Sequence, residues 1–438
     1  MTISQPDLLE RARKHLIRYC RTWQPPVIAS GRGSTVVDVD GREYLDSTSG
    51  QMCATIGHNH PRVVEALEAS SRRILHLNST LLSPETIEMA ERLASILPPS
   101  LSMSIFLNTG SESNEIALKM AKLATGRFET VGLTRSFHGL TVGAGSSTYA
   151  IARRGHGPAL PGFALPAPYC YRCPVRSAFP GCDFLCLRAG FELVDAESVG
   201  SLAACIVEPI ISAGGLIDPP RGYLTALREE CRKRGMIYIL DEAQTAFGRL
   251  GTMFAFEQDG GAPDILTLSK TFGGGVPIAA TVTSPEIEGR AVQNGFFHIT
   301  SHVSDPMPSL VGLAVLDLIV KENLADAART QGAYFASGLQ ALARRYEIIG
   351  DIRGRGLLLG VEFVKDRLSK EPAEAEGAKI TQECLSRGLL VSIVQFPGSL
   401  SVWRIAPPLT TTRAEIDRAL EIIESSIRAV VGGPAAVK

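Results

Sequence analysis

The feature that most constrains the fold is an alternation of short apolar runs with longer stretches of helical periodicity. Helical stretches separate most of the runs, and each run has the length of a buried strand. This alternation predicts an α/β fold with a mainly parallel central sheet and helices on both faces. The predicted strands are 104–107, 130–133, 203–207, 236–240, 265–268 and 279–283.

The strand-and-helix pattern divides the chain into three parts. We expect an N-terminal arm that also contributes to a small domain (1–60), a large domain (61–315) and a smaller C-terminal α+β domain (316–438). A hairpin should turn at Asp40-Gly41, a helix should begin at Pro61, and the C-terminal domain should contain a strand over 356–363.

Charge and hydropathy exclude some classes of partner. The formal net charge of −1 gives no electrostatic reason to expect nucleic acid. No apolar run reaches the roughly 18 residues that span a bilayer, and the first residues lack the apolar segment of a secretory signal. We therefore expect a cytoplasmic protein with neither nucleic-acid nor membrane partners.

Nine cysteines without a secretory signal argue against a disulfide framework. Four of them are close in sequence, at a spacing that permits a zinc or iron–sulfur site. The prolines and glycine between them are typical of an ordinary surface loop. Reduced thiols are therefore favoured, with a metal site as the alternative, and the four are Cys170, Cys173, Cys182 and Cys186.

Polar residues follow four of the predicted strands at the point where each strand ends. They are Asn108 to Ser111, Glu208, Asp241 and the pair Ser269-Lys270. Ligands of open parallel sheets bind at the carboxyl ends of the strands. Because four strands supply polar groups to this edge, the sequence predicts a functional site there.

Lys270 and Asp241 suggest the chemistry of this site. A lysine between an apolar strand and a glycine run is costly to bury unless its amine is used, for instance to bind an aldehyde cofactor covalently. A carboxylate at the end of another strand can keep the ring nitrogen of pyridoxal phosphate protonated. Alternatively, Lys270 clamps a phosphate and Asp241 caps a helix.

Other residues could complete a cofactor and substrate site. Thr109 and Glu112 fit a capping box, and the helix start after Thr109 suits a phosphate group. Phe137 could stack on the pyridine ring, with a core aromatic as the alternative. Arg404 lies between apolar residues and could bind a substrate carboxylate, with a structural ion pair as the alternative.

The segments LDEAQTAFGRLGTMFAFEQ and PDILTLSKTFGGGVP resemble the class III (subgroup II) aminotransferases, which have the fold type I of pyridoxal-phosphate-dependent transferases. The resemblance runs from about residue 31 to 430. It implies that Lys270 carries the cofactor and shuttles a proton, that Asp241 holds the ring nitrogen, and that Gln244 contacts the ring oxygen. It further implies a homodimer, with a tetramer as the alternative. Phosphate contacts are implied for Gly110 and Ser111, and from the neighbouring subunit for Thr300 or Ser301.

Within this class the chain most resembles 2,2-dialkylglycine decarboxylase, through segments 49–54, 301–306, 351–360 and 404–410. That resemblance implies decarboxylation of an amino acid coupled to transamination of a keto acid such as pyruvate. Gln51 would hold a carboxylate perpendicular to the cofactor plane, and Arg404 would hold one within the plane. An alkali cation, K⁺ or Na⁺, is also implied, with ligands from Leu77, Ser79, Ser301, Val303 and Asp305.

The sequence also departs from the decarboxylase pattern. Phe137 replaces a tryptophan, Leu140, Ala213 and Ser392 differ, and the segment 170–186 looks foreign to it. These changes affect the substrate pocket and leave the cofactor residues intact. The alternative is therefore a non-decarboxylating aminotransferase that acts on an amine or amino acid with a keto-acid acceptor. A non-catalytic regulatory protein is disfavoured by the intact pair of Lys270 and Asp241.

Overall fold

The computed structural model describes residues 4–19, 23, 25–150, 162–396 and 400–433. Among these residues no helix is long and apolar enough to cross a membrane. The strands are β1 (Ile28–Arg32), β2 (Thr35–Asp38), β3 (Glu43–Asp46), β4 (Met103–Leu107), β5 (Glu129–Leu133), β6 (Gly162–Leu165), β7 (Leu202–Val207), β8 (Ile237–Asp241), β9 (Ile265–Leu268), β10 (Ala279–Thr283), β11 (Ile349–Arg355), β12 (Leu358–Phe363), β13 (Leu389–Leu390), β14 (Ser392–Phe396) and β15 (Leu400–Ile405). The α-helices are α1 (Gln5–His15), α2 (Ser49–Met52), α3 (Pro61–Arg73), α4 (Pro84–Ser95), α5 (Gly110–Thr125), α6 (Val142–Ser146), α7 (Leu185–Glu197), α8 (Tyr223–Lys233), α9 (Pro285–Gln293), α10 (Pro306–Lys321), α11 (Leu324–Arg345), α12 (Glu374–Ser386) and α13 (Arg413–Val431).

The central element is a seven-stranded sheet with strand order β4-β10-β9-β8-β7-β5-β6. As far as the described residues define it, four of its six neighbouring pairs are parallel, and β10 runs antiparallel to both of its neighbours. Alternate residues of β7 enter two different apolar cores: Cys205 packs in one, whereas Ala204 and Ile206 pack in the other. Strands that are buried on both faces are typical of parallel sheets. The predicted α/β fold with a mainly parallel sheet is confirmed.

Two smaller sheets in the described part of the chain are built from strands that lie toward the two ends of the sequence. One has the order β1-β2-β3-β13 and joins residues near the N-terminus to the C-terminal region. The other, β11-β12-β15-β14, packs with α11, α12 and α13 around a third apolar core. The predicted turn at Asp40-Gly41 is observed between β2 and β3, with Gly41 at φ 86°. The domain boundaries given above stay predictions.

The strand predicted over 356–363 begins two residues later in the structure. Gly356 and Leu357 belong to the turn between β11 and β12, and the strand begins at Leu358. Gly356 has φ 54°, which a strand residue does not adopt. A Cβ at this position would lie 2.4 Å from the carbonyl oxygen of Arg249, so the turn requires glycine.

The four clustered cysteines flank the start of α7 and lie in the same region of the structure. Cys186 is buried, and burial raises its pKa to about 11. Among the described residues, no three of the four thiols lie close enough together to form a preformed metal cage. The described cysteines are all free thiols.

The direction of the strands brings four chain segments together. β4 and β9 both run antiparallel to β10, so β4 points the same way as β7, β8 and β9. The residues that follow these four strands therefore lie at one edge of the sheet, as the sequence predicts.

Candidate active site

A cavity of about 320 Å³ opens at this edge of the sheet. Its wall contains the segments that follow β4, β8 and β9, together with the loop after β5 and the residues around Cys53. The lining residues are Cys53, Asn108, Thr109, Gly110, Ser111, Asn114, Phe137, His138, Gly139, Asp241, Ala243, Ser269, Lys270, Gly275, Val276, Pro277 and Ile278.

Asp241 is the last residue of β8, and its carboxylate is almost completely buried. Its Oδ2 atom accepts hydrogen bonds from Asn114 Nδ2 at 2.8 Å and pairs with His138 Nδ1 at 2.8 Å. Its Oδ1 atom accepts the backbone N–H of Ala243 at 3.1 Å. Because Oδ2 has two strong partners, Oδ1 is the oxygen with spare capacity for a ligand.

The surroundings of Asp241 favour its charged form. Burial alone would raise the pKa of this carboxyl. The hydrogen bond and charge of His138, the charge of Lys270 and the hydrogen bond of Asn114 outweigh burial, so the pKa lies below its ordinary value. The site therefore offers to any group in the cavity a carboxylate whose charged form is favoured.

Lys270 follows β9 and is half-buried at the cavity wall. Among the described residues, its amine has neither a hydrogen bond nor an ion pair. The backbone of Lys270 adopts φ 33°, a conformation that non-glycine residues rarely adopt. Such strain is typical of functional sites, where the surrounding structure fixes one side chain in place.

The N-terminus of α5 forms another part of the wall. Thr109 and Glu112 make the predicted capping box: Thr109 Oγ1 accepts from Glu112 N, and Glu112 Oε2 accepts from Thr109 N at 2.9 Å. Gly110 and Ser111 follow directly, at the positive end of the helix. A Cβ at Gly110 would lie 2.8 Å from Ser269 Oγ, so a larger residue would require the Ser269 side chain to move.

Of the two predicted contacts of the ring, Phe137 lines the cavity, whereas Gln244 is not among the lining residues. The backbone N–H of Phe137 donates to Glu208 Oε1 at 2.9 Å. Gln244 lies three residues beyond Asp241 and is buried, yet its Oε1 atom has no hydrogen-bond partner among the described residues. Buried polar atoms without a partner are rare and usually await a ligand or water.

Gln51 occupies a different position from the residues that line the cavity. It lies in the left-handed turn of α2 at φ 63°, and its side chain is exposed. Its neighbour Cys53 reaches the cavity wall instead. Burial raises the pKa of the Cys53 thiol, which keeps it protonated despite the nearby charges of Lys270 and Arg249.

Arg404 lies on β15, is partly buried, and is not among the residues that line the cavity. One of its guanidinium nitrogens donates to Ser392 Oγ at 3.2 Å, whereas Nε has no partner among the described residues. Burial lowers its pKa, and the nearby Glu208 partly compensates. Glu208 itself is buried, which raises its pKa to about 7. No described carboxylate forms a direct ion pair with Arg404, so this cation could still bind an anion.

The segment 300–305 lies beside the cavity, because Asn108 Nδ2 donates to the carbonyl oxygen of His302 at 2.9 Å. Thr300 Oγ1 is buried without a partner among the described atoms, and Ser301 is exposed. His76 contacts Asp305, so the segment holding Leu77 and Ser79 meets the segment holding Ser301 and Val303. The proposed cation ligands therefore come from two adjoining segments.

Sequence reasoning missed two residues of this site, Asn114 and His138. Asn114 lies one turn into α5, and Thr267 Oγ1 donates to its Oδ1 atom at 2.7 Å. Asn114 Nδ2 also donates to the backbone carbonyl of His138 at 2.8 Å. These contacts join residues more than 20 positions apart, so no local sequence pattern predicts them. The sequence offered one signal: Asn114 and His138 are polar residues that lie close to Ser111 and Phe137, which were predicted to belong to the site.

This set of donors fits pyridoxal phosphate, the cofactor that the resemblance implies. As far as the described residues show, the cavity provides a lysine amine without a hydrogen bond or ion pair, a buried carboxylate with one oxygen of spare capacity, and the N-terminus of a helix. These are the groups that an aldehyde, a pyridinium nitrogen and a phosphate require, respectively.

Comparison with known proteins agrees with this geometry. The chain is 44% identical to an aminotransferase of Schizosaccharomyces pombe over 95% of this chain and 94% of that protein. It is 34% identical to an alanine–glyoxylate aminotransferase 2 homologue of Arabidopsis thaliana, over 96% of this chain and 87% of the relative. The structure matches a pyridoxal-phosphate-bound amine transaminase from an uncultivated Pseudomonas species with a TM-score of 0.88 and 30% identity, covering 93% and 95% of the two chains. Residues 20–427 match the family described as aminotransferase class-III. The chain belongs to the class III aminotransferases.

Proposed function

We propose that the protein transfers an amino group from a small-molecule amine or amino acid to a keto acid such as pyruvate, with pyridoxal phosphate bound in the cavity. The observation that carries this proposal is the amine of Lys270, without a partner among the described residues, in the same cavity as the ionised carboxylate of Asp241. The family of the chain and the cofactor in the matched transaminase structure support it.

Different residues of the chain would bind different parts of the cofactor. The backbone amides of Gly110 and Ser111 would hold the phosphate at the N-terminus of α5. Asp241 Oδ1 would accept a hydrogen bond from the ring N–H, while Phe137 would stack on the ring and Gln244 would contact its oxygen. When bound, pyridoxal phosphate stabilises negative charge on the substrate's α-carbon.

Lys270 would move the proton that transamination requires. Its amine would anchor the cofactor in the resting enzyme. Once substrate replaces the lysine, the free amine would accept a proton from the substrate's α-carbon and donate it to another atom of the bound substrate and cofactor. The backbone of Lys270 has φ 33°, and such strain is typical of residues that a functional site holds in place. Asp241, oriented by His138 and Asn114, would keep the ring nitrogen protonated throughout.

Arg404 is the proposed contact for the substrate carboxylate. It is partly buried, its Nε atom has no partner among the described residues, and no described carboxylate pairs with it directly. Glu208 lies near it with a pKa of about 7, so at neutral pH this carboxyl only partly neutralises the guanidinium. A bidentate carboxylate is the anion that such an arginine binds best.

Simple transamination is better supported than decarboxylation. The curated relatives and matched structures described above are named as aminotransferases or transaminases. Gln51, the residue expected to direct decarboxylation, has an exposed side chain outside the set that lines the cavity. Decarboxylation of a dialkylglycine would require this side chain to turn into the cavity.

We further propose that the enzyme is a homodimer, with a tetramer as the alternative. Thr300 or Ser301 of each subunit would reach the phosphate of the other, and the exposed Phe297 and Ile299 give this segment an apolar surface suited to a subunit contact. An alkali cation, K⁺ or Na⁺, is proposed near the same segment. Its ligands would be Leu77, Ser79, Ser301, Val303 and Asp305.

The cofactor assignment is tested by adding pyridoxal phosphate to the purified protein and recording its absorbance. Wild-type protein should bind the cofactor, and borohydride reduction followed by peptide mapping should place its mass on Lys270. Lys270→Ala should lose the covalent attachment, whereas Lys379→Ala, which alters an exposed lysine of α12, should retain it. A wild-type protein that stays colourless would refute the proposal.

The reaction is tested by a screen of amino donors against pyruvate. We expect alanine to form from at least one amine or amino acid without release of carbon dioxide. 2-Aminoisobutyrate, which has no α-hydrogen, is the diagnostic donor, because it can react only by losing its carboxylate. Carbon dioxide and acetone from this donor would show decarboxylation instead.

A further inference from the structure

We propose that His76, His302 and Asp305 form a site for one divalent transition-metal ion of the Zn²⁺ class. His76 Nδ1 lies 2.8 Å from Asp305 Oδ1, and His302 Nδ1 lies 2.7 Å from Asp305 Oδ2. One ligand atom from each of the three residues lies within 4.8 Å of the others. Among the described residues this is the one group of three such ligands gathered at that spacing.

The ligand set selects the class of ion. Two imidazoles and one carboxylate suit Zn²⁺, Co²⁺ or Ni²⁺, whereas alkali cations prefer ligand sets made of oxygen alone. Both imidazoles present the same kind of atom, Nδ1, to the same carboxylate, each to a different oxygen. This arrangement distinguishes the site from the oxygen-ligated alkali site proposed above, although Asp305 belongs to both.

The distances are close to those of a metal site. Zinc binds nitrogen and oxygen at about 2.0–2.2 Å, so two ligand atoms of a tetrahedral ion lie about 3.3 Å apart. The imidazole nitrogens lie about half an ångström closer to the carboxylate oxygens than this, and small side-chain rotations would admit the ion. The His76 and His302 rings have their centroids 4.8 Å apart and a tilt of 51°, so they converge without stacking face to face.

Of the three residues, only Asp305 is buried. The Asp305 side chain is only 7% exposed, while the imidazoles of His76 and His302 are 47% and 60% exposed. A fixed carboxylate therefore lies at the base, and two accessible imidazoles leave room for an ion to enter and for water to complete its coordination. Asp305 is held where α10 begins, since its backbone carbonyl accepts from Ser309 Oγ at 2.8 Å.

The ion would join two segments that are distant in sequence. His76 follows α3, whereas His302 and Asp305 precede α10. The carbonyl oxygen of His302 accepts from Asn108, which lines the cavity, so the proposed site contacts the cavity wall directly. Binding should therefore stabilise the segment 300–305 and, through it, this side of the cavity.

The test is a calorimetric titration of chelator-treated, cofactor-loaded protein with Zn²⁺, repeated with K⁺. We expect about one Zn²⁺ per chain, and at least a tenfold weaker affinity in His76→Ala and in His302→Ala. The matched control is His15→Ala, which removes an exposed histidine of α1 and should leave the affinity unchanged. Co²⁺ provides a second probe, because imidazole ligands should give it a d–d absorption band that both variants lose.

Thermal unfolding gives an independent readout, because an ion that binds only the folded state raises Tm. Zn²⁺ should raise the Tm of wild type and of His15→Ala, and should raise that of His302→Ala much less. The proposal is overturned if wild type binds no Zn²⁺, if both histidine variants bind it as tightly as wild type, or if K⁺ alone occupies the site. The imidazole–carboxylate contacts would then be plain hydrogen bonds. This result is independent of the cofactor test on Lys270, so either proposal can fail alone.

Discussion

At the scale of single residues, the hydrogen-bond partners of Asp241 favour the charged form of its carboxylate in the candidate site. His138 and Asn114 both bind Oδ2, and both are buried. We expect His138→Gln to lower the free energy of unfolding by about 1.5–3 kcal/mol, the range for a lost hydrogen bond to a charged group. Urea unfolding of the protein without cofactor measures this directly.

The same variant should also bind pyridoxal phosphate less tightly, because the pKa of Asp241 rises when a charge-assisted partner is lost. His15→Gln, on the exposed surface of α1, should change stability by less than about 0.5 kcal/mol. Equal stability and cofactor affinity in wild type and His138→Gln would show that His138 has no positioning role.

Glu208 gives a prediction for pH. Burial raises its pKa in the folded protein to about 7, above the ordinary value of 4.5. Below about pH 4.5 the carboxyl is protonated in both states and has no effect. Between the two values the unfolded chain loses the proton first, so stability falls as pH rises, by roughly 3 kcal/mol for a shift of this size.

We therefore expect Glu208→Gln to lose less stability than wild type between pH 5 and pH 8, measured by urea unfolding at both values. Glu347→Gln, which alters an exposed carboxylate, should follow wild type. A Glu208 variant with the same pH slope as wild type would mean that this carboxyl is ionised throughout the range.

At the scale of elements, one buried carboxylate links the segment before α7 to the sheet that holds Arg404. Glu362 on β12 accepts hydrogen bonds from Tyr169 and from Arg172 Nε, and forms an ion pair with Arg353. β12 lies next to β15, where Gly360 pairs with Arg404. The segment 169–172 therefore contributes to the position of the proposed substrate arginine.

Glu362→Gln should leave Arg172 without its buried counter-charge and Arg353 with Asp351 alone as its partner. We expect a loss of about 3–5 kcal/mol in the free energy of unfolding and a higher KM for carboxylate substrates with a smaller change in kcat. Glu371→Gln, which breaks the exposed pair with Lys365, should cost less than about 1 kcal/mol. An unchanged KM in Glu362→Gln would separate this cluster from substrate binding.

Elements also show where sequence reasoning succeeds. The six predicted strands agree with β4, β5, β7, β8, β9 and β10 to within one residue, because each is a short apolar run with clear ends. The strands that were not predicted are β1, β6, β11, β13, β14 and β15; β11, for example, reads IGDIRGR and is only partly buried. Its pairing with β12 depends on long-range contacts that no local pattern contains.

The same distinction between local sequence patterns and long-range contacts applies to the residues of the candidate site. Asp241, Lys270 and the capping box at Thr109 could be identified because strand ends and helix starts have local signatures. The partnership of Asn114 and His138 with Asp241 could not, since it depends on how α5 and the loop after β5 pack. The exposed position of Gln51 follows from the left-handed turn of α2, which the sequence does not announce.

At the scale of the whole molecule, the cavity is assembled by segments from distant parts of the chain, so a ligand there should stabilise the fold as a unit. Cys53, Asn108, Phe137, Asp241 and Lys270 all contribute to its wall. A ligand that binds only the folded state stabilises it by about 2.7 kcal/mol at 100 times its Kd.

We expect the addition of pyridoxal phosphate to raise the Tm of wild type by several degrees, because a covalently attached cofactor dissociates slowly and binds tightly. Lys270→Ala keeps the helix N-terminus and Asp241 but loses the attachment, so its Tm should rise less at the same concentration, while Lys379→Ala should match wild type. Calorimetry of each protein with and without cofactor measures the difference. An equal rise in wild type and Lys270→Ala would mean that the phosphate and ring contacts supply nearly all of the binding energy, and that the lysine serves the chemistry alone.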